Sequence, residues 1–251
     1  MSPFDLSGRC AIVTGANTGI GQAIAAGLAA AGADIIGVGR SPMAETAGQV
    51  AATGRVFHSL LADLSQMEEV RILIERASAL RPHPDILVNN AGIIRRADTI
   101  DFTEEDWDAV MDTNLKSAFF LCQSFAKMAI AAQMPAKIIN IASLLSFQGG
   151  IRVPSYTAAK SGLAGLTRLM ANEWALRGIN VNAIAPGYVE TNNTTALRAD
   201  AERNADILKR IPAGRWARAD DMAGAAVFLA SRASDYVHGT ILPVDGGWLA
   251  R

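Results

Sequence analysis

Ser143, Tyr156 and Lys160 are the residues whose types and spacing first suggest chemistry. Tyr156 and Lys160 are i and i+4, so a helix presents them on one face. A phenol with a pKa of about 10 is a poor base at neutral pH. A neighbouring ammonium favours the phenolate, as does the positive end of a helix starting near Ser155. The Ser143 hydroxyl, thirteen positions before Tyr156, is suited to hydrogen-bond a substrate oxygen. Such a set moves a proton at a carbinol or carbonyl oxygen. Tyr-x-x-x-Lys alone is common on ordinary helix faces, so its meaning depends on what accompanies it. Asn114 falls inside a helical pattern, where its side chain competes for backbone groups, and locally unfavourable choices tend to mark function.

The companion signal is "TGANTGIG" at 14–21. It follows an apolar β-branched run and opens a helical one. Gly15, Gly19 and Gly21 let backbone approach a pyrophosphate, and the helix N-terminus, reached through Asn17, Thr18 and Ile20, offers free N–H groups. A dinucleotide coenzyme would supply the hydride that the proton-transfer set lacks. The second strand ends in "IIGVGRSP": Gly39 stands where an NAD site carries an acid, and Arg40 follows. This predicts NADP over NAD, although Arg also stacks on adenine, which leaves NAD open. "ADL" places Asp63 and Leu64 at the adenine edge, and "NNAG" places Asn90, Ala91 and Gly92 beside the coenzyme.

These residues require an alternation of strands and helices to bring them to one edge. "CAIVTG", "DIIGVG", part of "RVFHSLLADL", "DILVNNAG", "AKIINIAS", "INVNAIAPG" and "TILPVDGG" read as seven strands. Helical patterns occupy 21–32, the stretch "MEEVRILIERASAL", 103–133 and 155–178. Strands that are near-continuous apolar runs predict an α/β fold, a parallel sheet covered on both faces. One domain, 1–251, accounts for the chain. The irregular stretch at about 188–216 follows a strand's C-terminal end, where open α/β sheets bind ligands, and is expected to be a substrate flap.

Composition removes other classes. Half of the 251 residues are hydrophobic and the formal charge is -1, with no basic face that would suit nucleic acid. No stretch reaches the roughly 18 apolar residues of a membrane span. "MSPFDLSGRCAIVTG" lacks the basic and long apolar regions of a signal peptide, so a cytoplasmic protein is expected. Cys10 and Cys122 read as reduced, buried thiols. His58, His83 and His238 are scattered, so no catalytic metal is expected.

Taken in order, "TGANTGIG", "NNAG", Asn114, Ser143, "YTAAK" and "PGYVET" resemble the short-chain dehydrogenase/reductase family over essentially the whole chain. The resemblance implies a doubly wound Rossmann fold and a catalytic tetrad of Asn114, Ser143, Tyr156 and Lys160. It implies that Tyr156 is the general acid/base, that Lys160 holds the nicotinamide ribose and lowers the tyrosine pKa, and that Ser143 orients substrate. Asn114 would hold a water in a proton relay. Pro186, Gly187, Val189 and Thr191 would contact the nicotinamide. A homotetramer built on 103–133, 155–178 and the last strand is also implied. "IIRRAD", "SLLSFQGGIRVPSYTAAKSG", "INVNAIAPGYVETNNT" and "VDGGWLAR" are further similar to the branch that acts on deoxy sugar acids such as 2-deoxy-D-gluconate and 2-dehydro-3-deoxy-D-gluconate. That branch is usually associated with NAD, in contrast to the Gly39-Arg40 pair.

A sugar acid offers a carboxylate, for which the planar guanidinium is the natural ligand. Arg152, four before Tyr156, is the first expectation, then Arg96, then Arg95. Gln148 and Asn192 or Asn193 are suited to read hydroxyls, whereas Trp216 reads as packing. A generic reductase such as one for 3-oxoacyl carriers would favour a basic docking face, which the near-neutral charge does not supply. A non-catalytic dinucleotide sensor would commonly lack the Tyr or the Lys.

Overall fold

The inner strands are almost wholly buried runs, such as Cys10–Thr14 (β1) and Ile179–Pro186 (β6), because helices cover both faces of the sheet that they form. The computed structural model describes residues 2–250. The other strands are Asp34–Gly39 (β2), Phe57–Leu61 (β3), Ile86–Asn89 (β4), Ala136–Ile141 (β5) and Ile241–Val244 (β7). Every pairing is parallel, in the order β3-β2-β1-β4-β5-β6-β7. The order reverses between β1 and β4, which opens a crevice at their C-terminal ends.

Alternate strand residues feed two cores. Ile12, Ile36, Leu87 and Ile138 pack under Met67–Leu80 (α3), Ser117–Ala131 (α5) and Pro154–Trp174 (α6). Val13, Ile35, Val88 and Ile139 pack under Gly19–Ala30 (α1), Ala44–Ala51 (α2) and Ala223–Ala230 (α9). Pro154 at the first turn of α6 supplies a pre-set φ and lacks an N–H that would otherwise be orphaned.

The expected helix over 103–133 is divided. Glu104–Met111 (α4) starts at Thr103, whose hydroxyl accepts from the Asp106 N–H. The chain then widens into a π turn over Asp112–Lys116 before α5. Asn114 lies in that wide turn, where a mid-helix asparagine is tolerated because the regular ladder is already broken. The 188–216 segment also holds regular structure: Thr195–Ala199 (α7) and Ala201–Arg210 (α8), the latter capped by Asp200. Its apolar side chains Ile207, Ile211 and Trp216 form a small core of their own with Leu144 and Trp248. Among the described residues no helix is long and apolar enough to cross a membrane.

Candidate active site

The loop after β1 is shaped for a ligand's phosphates. Gly15 and Gly19 hold φ of +66° and +57°, values that side chains disfavour. A Cβ on Gly21 would lie 2.2 Å from the Gly15 carbonyl oxygen, so α1 can approach the loop only through a glycine. Thr18, the residue capping α1, makes no side-chain bond to the first turn, which leaves those N–H groups open. The "NNAG" turn is laced to this loop. The Asn90 and Ala91 N–H groups both donate to Thr14 Oγ1 at 3.0 Å, and Asn90 Nδ2 donates to the Thr14 and Gly15 carbonyls.

The far end of β2 carries Gly39 with Asn17 beside it: Asn17 Nδ2 donates to Ser41 Oγ at 3.0 Å. Arg40 is exposed and makes no hydrogen bond or ion pair among the described residues. An uncommitted guanidinium, a hydroxyl and an amide, with no acid, fit a ribose bearing a 2′-phosphate. Asp63 accepts from the Ser65 N–H at 3.0 Å and so caps the turn after β3, and Leu64 is buried beneath it.

The chemical residues meet at the ends of β4, β5 and β6. Ser143 lies two residues beyond β5, and its hydroxyl accepts from the Leu145 N–H at 3.2 Å. Burial raises the Tyr156 pKa, while a hydrogen bond from Ser143 and the charge of Arg96 pull it back. The buried Lys160 ammonium lies 5.5 Å from the centre of the Tyr156 ring and donates to the Ile141 carbonyl at 2.6 Å. Burial lowers its pKa to about 8. The Arg96 charge favours the phenolate, and the Lys160 ammonium 5.5 Å from the ring, with a pKa of about 8, still carries its charge at neutral pH. Asn114 clamps the turn that leads to Arg96: Oδ1 accepts from the Ile93 N–H and Nδ2 donates to the Ile93 carbonyl, both at 2.8 Å. Gly92 fits beneath it because a Cβ there would be 3.1 Å from Asn114 Oδ1.

Pro186 ends β6, and a Cβ on Gly187 would be 2.7 Å from the Asp245 Cα. Val189 is buried and pairs in a bridge with Ala217. The Thr191 N–H donates to Thr194 Oγ1 at 3.1 Å, which fixes the start of the 188–216 segment against the glycine loop; a Cβ on Gly19 would face Thr191 at 3.4 Å.

The substrate residues read from sequence are dispersed. Arg96 reaches the 188–216 segment, donating to the Asn193 carbonyl at 3.0 Å. Arg152 sits in left-handed backbone (φ +62°) and pairs with Asp98 at 3.0 Å, both well exposed. Arg95 pairs with Asp106 at the start of α4. Asn192 is exposed. Gln148 Oε1 accepts from Arg210 and Trp248, at 3.2 and 3.3 Å. Trp216 is buried packing, its Nε1 donating to Asn204. The sequence reading missed Arg210 and Trp248, since nothing in their spacing ties them to Gln148, 62 and 100 residues away. It also missed a buried chain from Asn89 through Asn140 to Thr167, with bonds of 2.9 and 3.0 Å, which joins β4, β5 and α6 behind the site. Cys10 and Cys122 are free, buried and raised by that burial to about 12.

A glycine loop at a sheet switch point, with Ser143, Tyr156 and Lys160 at the same edge, defines a dinucleotide-dependent oxidoreductase of the short-chain type. Residues 15–249 match the family model described as enoyl-(acyl carrier protein) reductase, and the chain belongs to the short-chain dehydrogenase/reductase family. It is 61% identical to 2-dehydro-3-deoxy-D-gluconate 5-dehydrogenase of Escherichia coli K12, over 100% of this chain and 99% of that protein. Among solved structures it is similar to a candidate 2-deoxy-D-gluconate 3-dehydrogenase of Agrobacterium tumefaciens with bound NADP. The two are 62% identical with a TM-score of 0.94, and 100% of each chain is covered. It is also similar to a candidate NAD(P)-dependent gluconate 5-dehydrogenase of Beutenbergia cavernae, solved with NADP at low occupancy. That match is 51% identical with a TM-score of 0.96 and again covers 100% of both chains.

Proposed function

We propose that this protein is an NADP-linked dehydrogenase that interconverts a secondary alcohol and a ketone on a deoxy sugar acid. The relatives named for 2-dehydro-3-deoxy-D-gluconate and 2-deoxy-D-gluconate support the substrate class. The observation that carries the reading is that Ser143, Tyr156 and Lys160 share one end of the sheet, the Lys160 ammonium 5.5 Å from the Tyr156 ring, with Arg96 near enough for its charge to favour the phenolate. One fixed cation beside the acid/base serves both to hold a carboxylate and to favour the phenolate.

In the oxidative direction Ser143 holds the carbinol oxygen and Tyr156 takes the hydroxyl proton as the carbon's hydrogen departs with its electron pair. NADP, when bound, would supply the acceptor for that hydride. Gly15, Asn17, Thr18, Gly19, Ile20 and Gly21 would cradle its phosphates, with Arg40, Asp63 and Leu64 around the adenosine. Asn90, Ala91 and Gly92 would line the ribose, and Pro186, Gly187, Val189 and Thr191 the nicotinamide. Lys160 would hold the nicotinamide ribose, and Asn114 a relay water. Arg96 is the carboxylate anchor in this reading. The 188–216 segment would cover the substrate, since Arg96 already bonds its backbone at Asn193. Arg152 and Arg95 are paired with Asp98 and Asp106 and would have to leave those partners to meet a carboxylate.

Half-exposed Trp107 on α4 and Leu169 on α6 support assembly as a homotetramer through those helices, which light scattering would test. Two unpaired thiols fit a cytoplasmic location, which cell fractionation would test.

A spectrophotometric panel of deoxy-hexonates and keto acids with NAD(H) and NADP(H) tests the reading. Turnover of a sugar acid with NADP(H) preferred is expected. Background rates on every sugar acid, with activity on an acyl thioester, would overturn it.

A further inference from the structure

Three segments distant in sequence meet beside Ser143. Leu144, next to Ser143, is buried in the small core with Ile207, Trp216 and Trp248. This core is separate from the two that build the sheet, so it joins the 188–216 segment to the residue beside the candidate serine and to little else. Its outer seam is closed by polar contacts. The Arg210 guanidinium lies 4.0 Å over the Trp248 ring. Gln148 Oε1 accepts from both Arg210 Nη2 and Trp248 Nε1. Tyr188 packs against Trp248 at 4.8 Å and against Trp216 at 5.3 Å.

We propose that Gln148, Arg210 and Trp248 form a clasp that positions the substrate-covering segment. It would set substrate affinity without touching the reacting atoms. Each partner comes from a different segment: Gln148 from the loop after Ser143, Arg210 from the end of α8, Trp248 from the turn after β7. With the clasp made, α8 is pinned to the loop that follows Ser143, and Leu144 is held in the core between them. With it broken, α7 and α8 are held by the satellite core and the Trp216–Asn204 bond, and local opening of the unit becomes easier. Arg210 and Trp248 are thus positioning residues.

The inference rests on the dehydrogenase reading, but one arm of its test does not. Arg210→Met removes the cation and the bond, Arg210→Lys keeps the cation over the ring, and Trp248→Phe keeps a ring but loses the N–H. One exposed hydrogen bond and one cation–ring contact predict a rise of about three- to tenfold in the sugar-acid KM for Arg210→Met and Trp248→Phe. Arg210→Lys should fall between these and the wild type, and the NADP KM should stay unchanged in all three. Hydrogen–deuterium exchange of residues 195–210 should quicken in the same order, with Tm unchanged in the two Arg210 variants. Unchanged KM and unchanged exchange in both disruptive variants would overturn the clasp, and so would an equal loss of NADP affinity. If no sugar acid is turned over by the wild type, the substrate reading fails and the exchange arm alone decides the clasp.

Discussion

The Lys160 ammonium donates to the carbonyl of Ile141, the last residue of β5, at 2.6 Å. The bond fastens α6 to the strand that leads into Ser143, so the two halves of the chemical site share one anchor. It also leaves an ammonium buried with no carboxylate beside it. Desolvation draws its pKa from 10.5 to about 8.

A base whose folded pKa is lowered costs stability below that value, and the cost disappears as pH rises to the unfolded pKa. For Lys160 the window runs from about 8 to 10.5. The wild type should therefore gain on Lys160→Met by about 2 to 3 kcal/mol between pH 7 and 10. Urea denaturation of both proteins, without coenzyme, at the two pH values measures the difference. Parallel stability curves would show that Lys160 titrates normally.

Tyr156 is raised by burial and drawn back by Ser143 and Arg96. Alcohol oxidation needs the phenolate, so the rate should climb with pH along a limb set by Tyr156. Arg96→Met removes the cation and should move that limb to higher pH, while Arg96→Lys should restore part of the shift. The same Arg96→Met change should raise the sugar-acid KM by about tenfold or more, the loss of a charge-assisted bond. A limb that does not move assigns the titration to another group. Tyr156→Phe should abolish turnover and spare coenzyme binding, read by fluorescence titration of NADPH.

The seven strands, the sheet's faces and the glycine loop were legible because buried parallel strands and βα turns write themselves in short local patterns. Tyr156 and Lys160 were legible for the same reason, being one helical turn apart. The arginines were not. Arg152, Arg96 and Arg95 are equivalent in sequence, and only the fold shows that Asp98 and Asp106 hold two of them while the third bonds the Asn193 carbonyl. The π turn at Asn114 was foreshadowed by a residue that suits no helix interior, but its partner, Ile93, is 21 positions away.

Gly39 is expected to favour NADP by what it leaves out. A Cβ there would lie 3.3 Å from Asn17 Oδ1, so Gly39→Asp would place its carboxylate beside Asn17 and Arg40. The acid would compete with a 2′-phosphate for Arg40 and offer an acceptor to a ribose hydroxyl instead. The ratio of kcat/KM for NADP over NAD should fall by about 10- to 100-fold, the worth of one charged hydrogen bond. An unchanged ratio would mean that the 2′ position is read elsewhere.

Asn114 is expected to matter for more than a relay water. Its amide gives and takes one bond each with Ile93, as a neighbouring strand would. Those bonds set the turn from Gly92 to Arg96, and so the proposed carboxylate anchor. Asn114→Ala leaves the Ile93 N–H and carbonyl without their partner, a loss of about 1 to 3 kcal/mol in stability. Asn114→Asp keeps the acceptor but turns an oxygen toward the Ile93 carbonyl, so it should be no better. Both variants should lower Tm and raise the sugar-acid KM together with their loss of kcat. A fall in kcat alone, at unchanged Tm and KM, would confine Asn114 to proton transfer and remove the Ile93 clamp from the account.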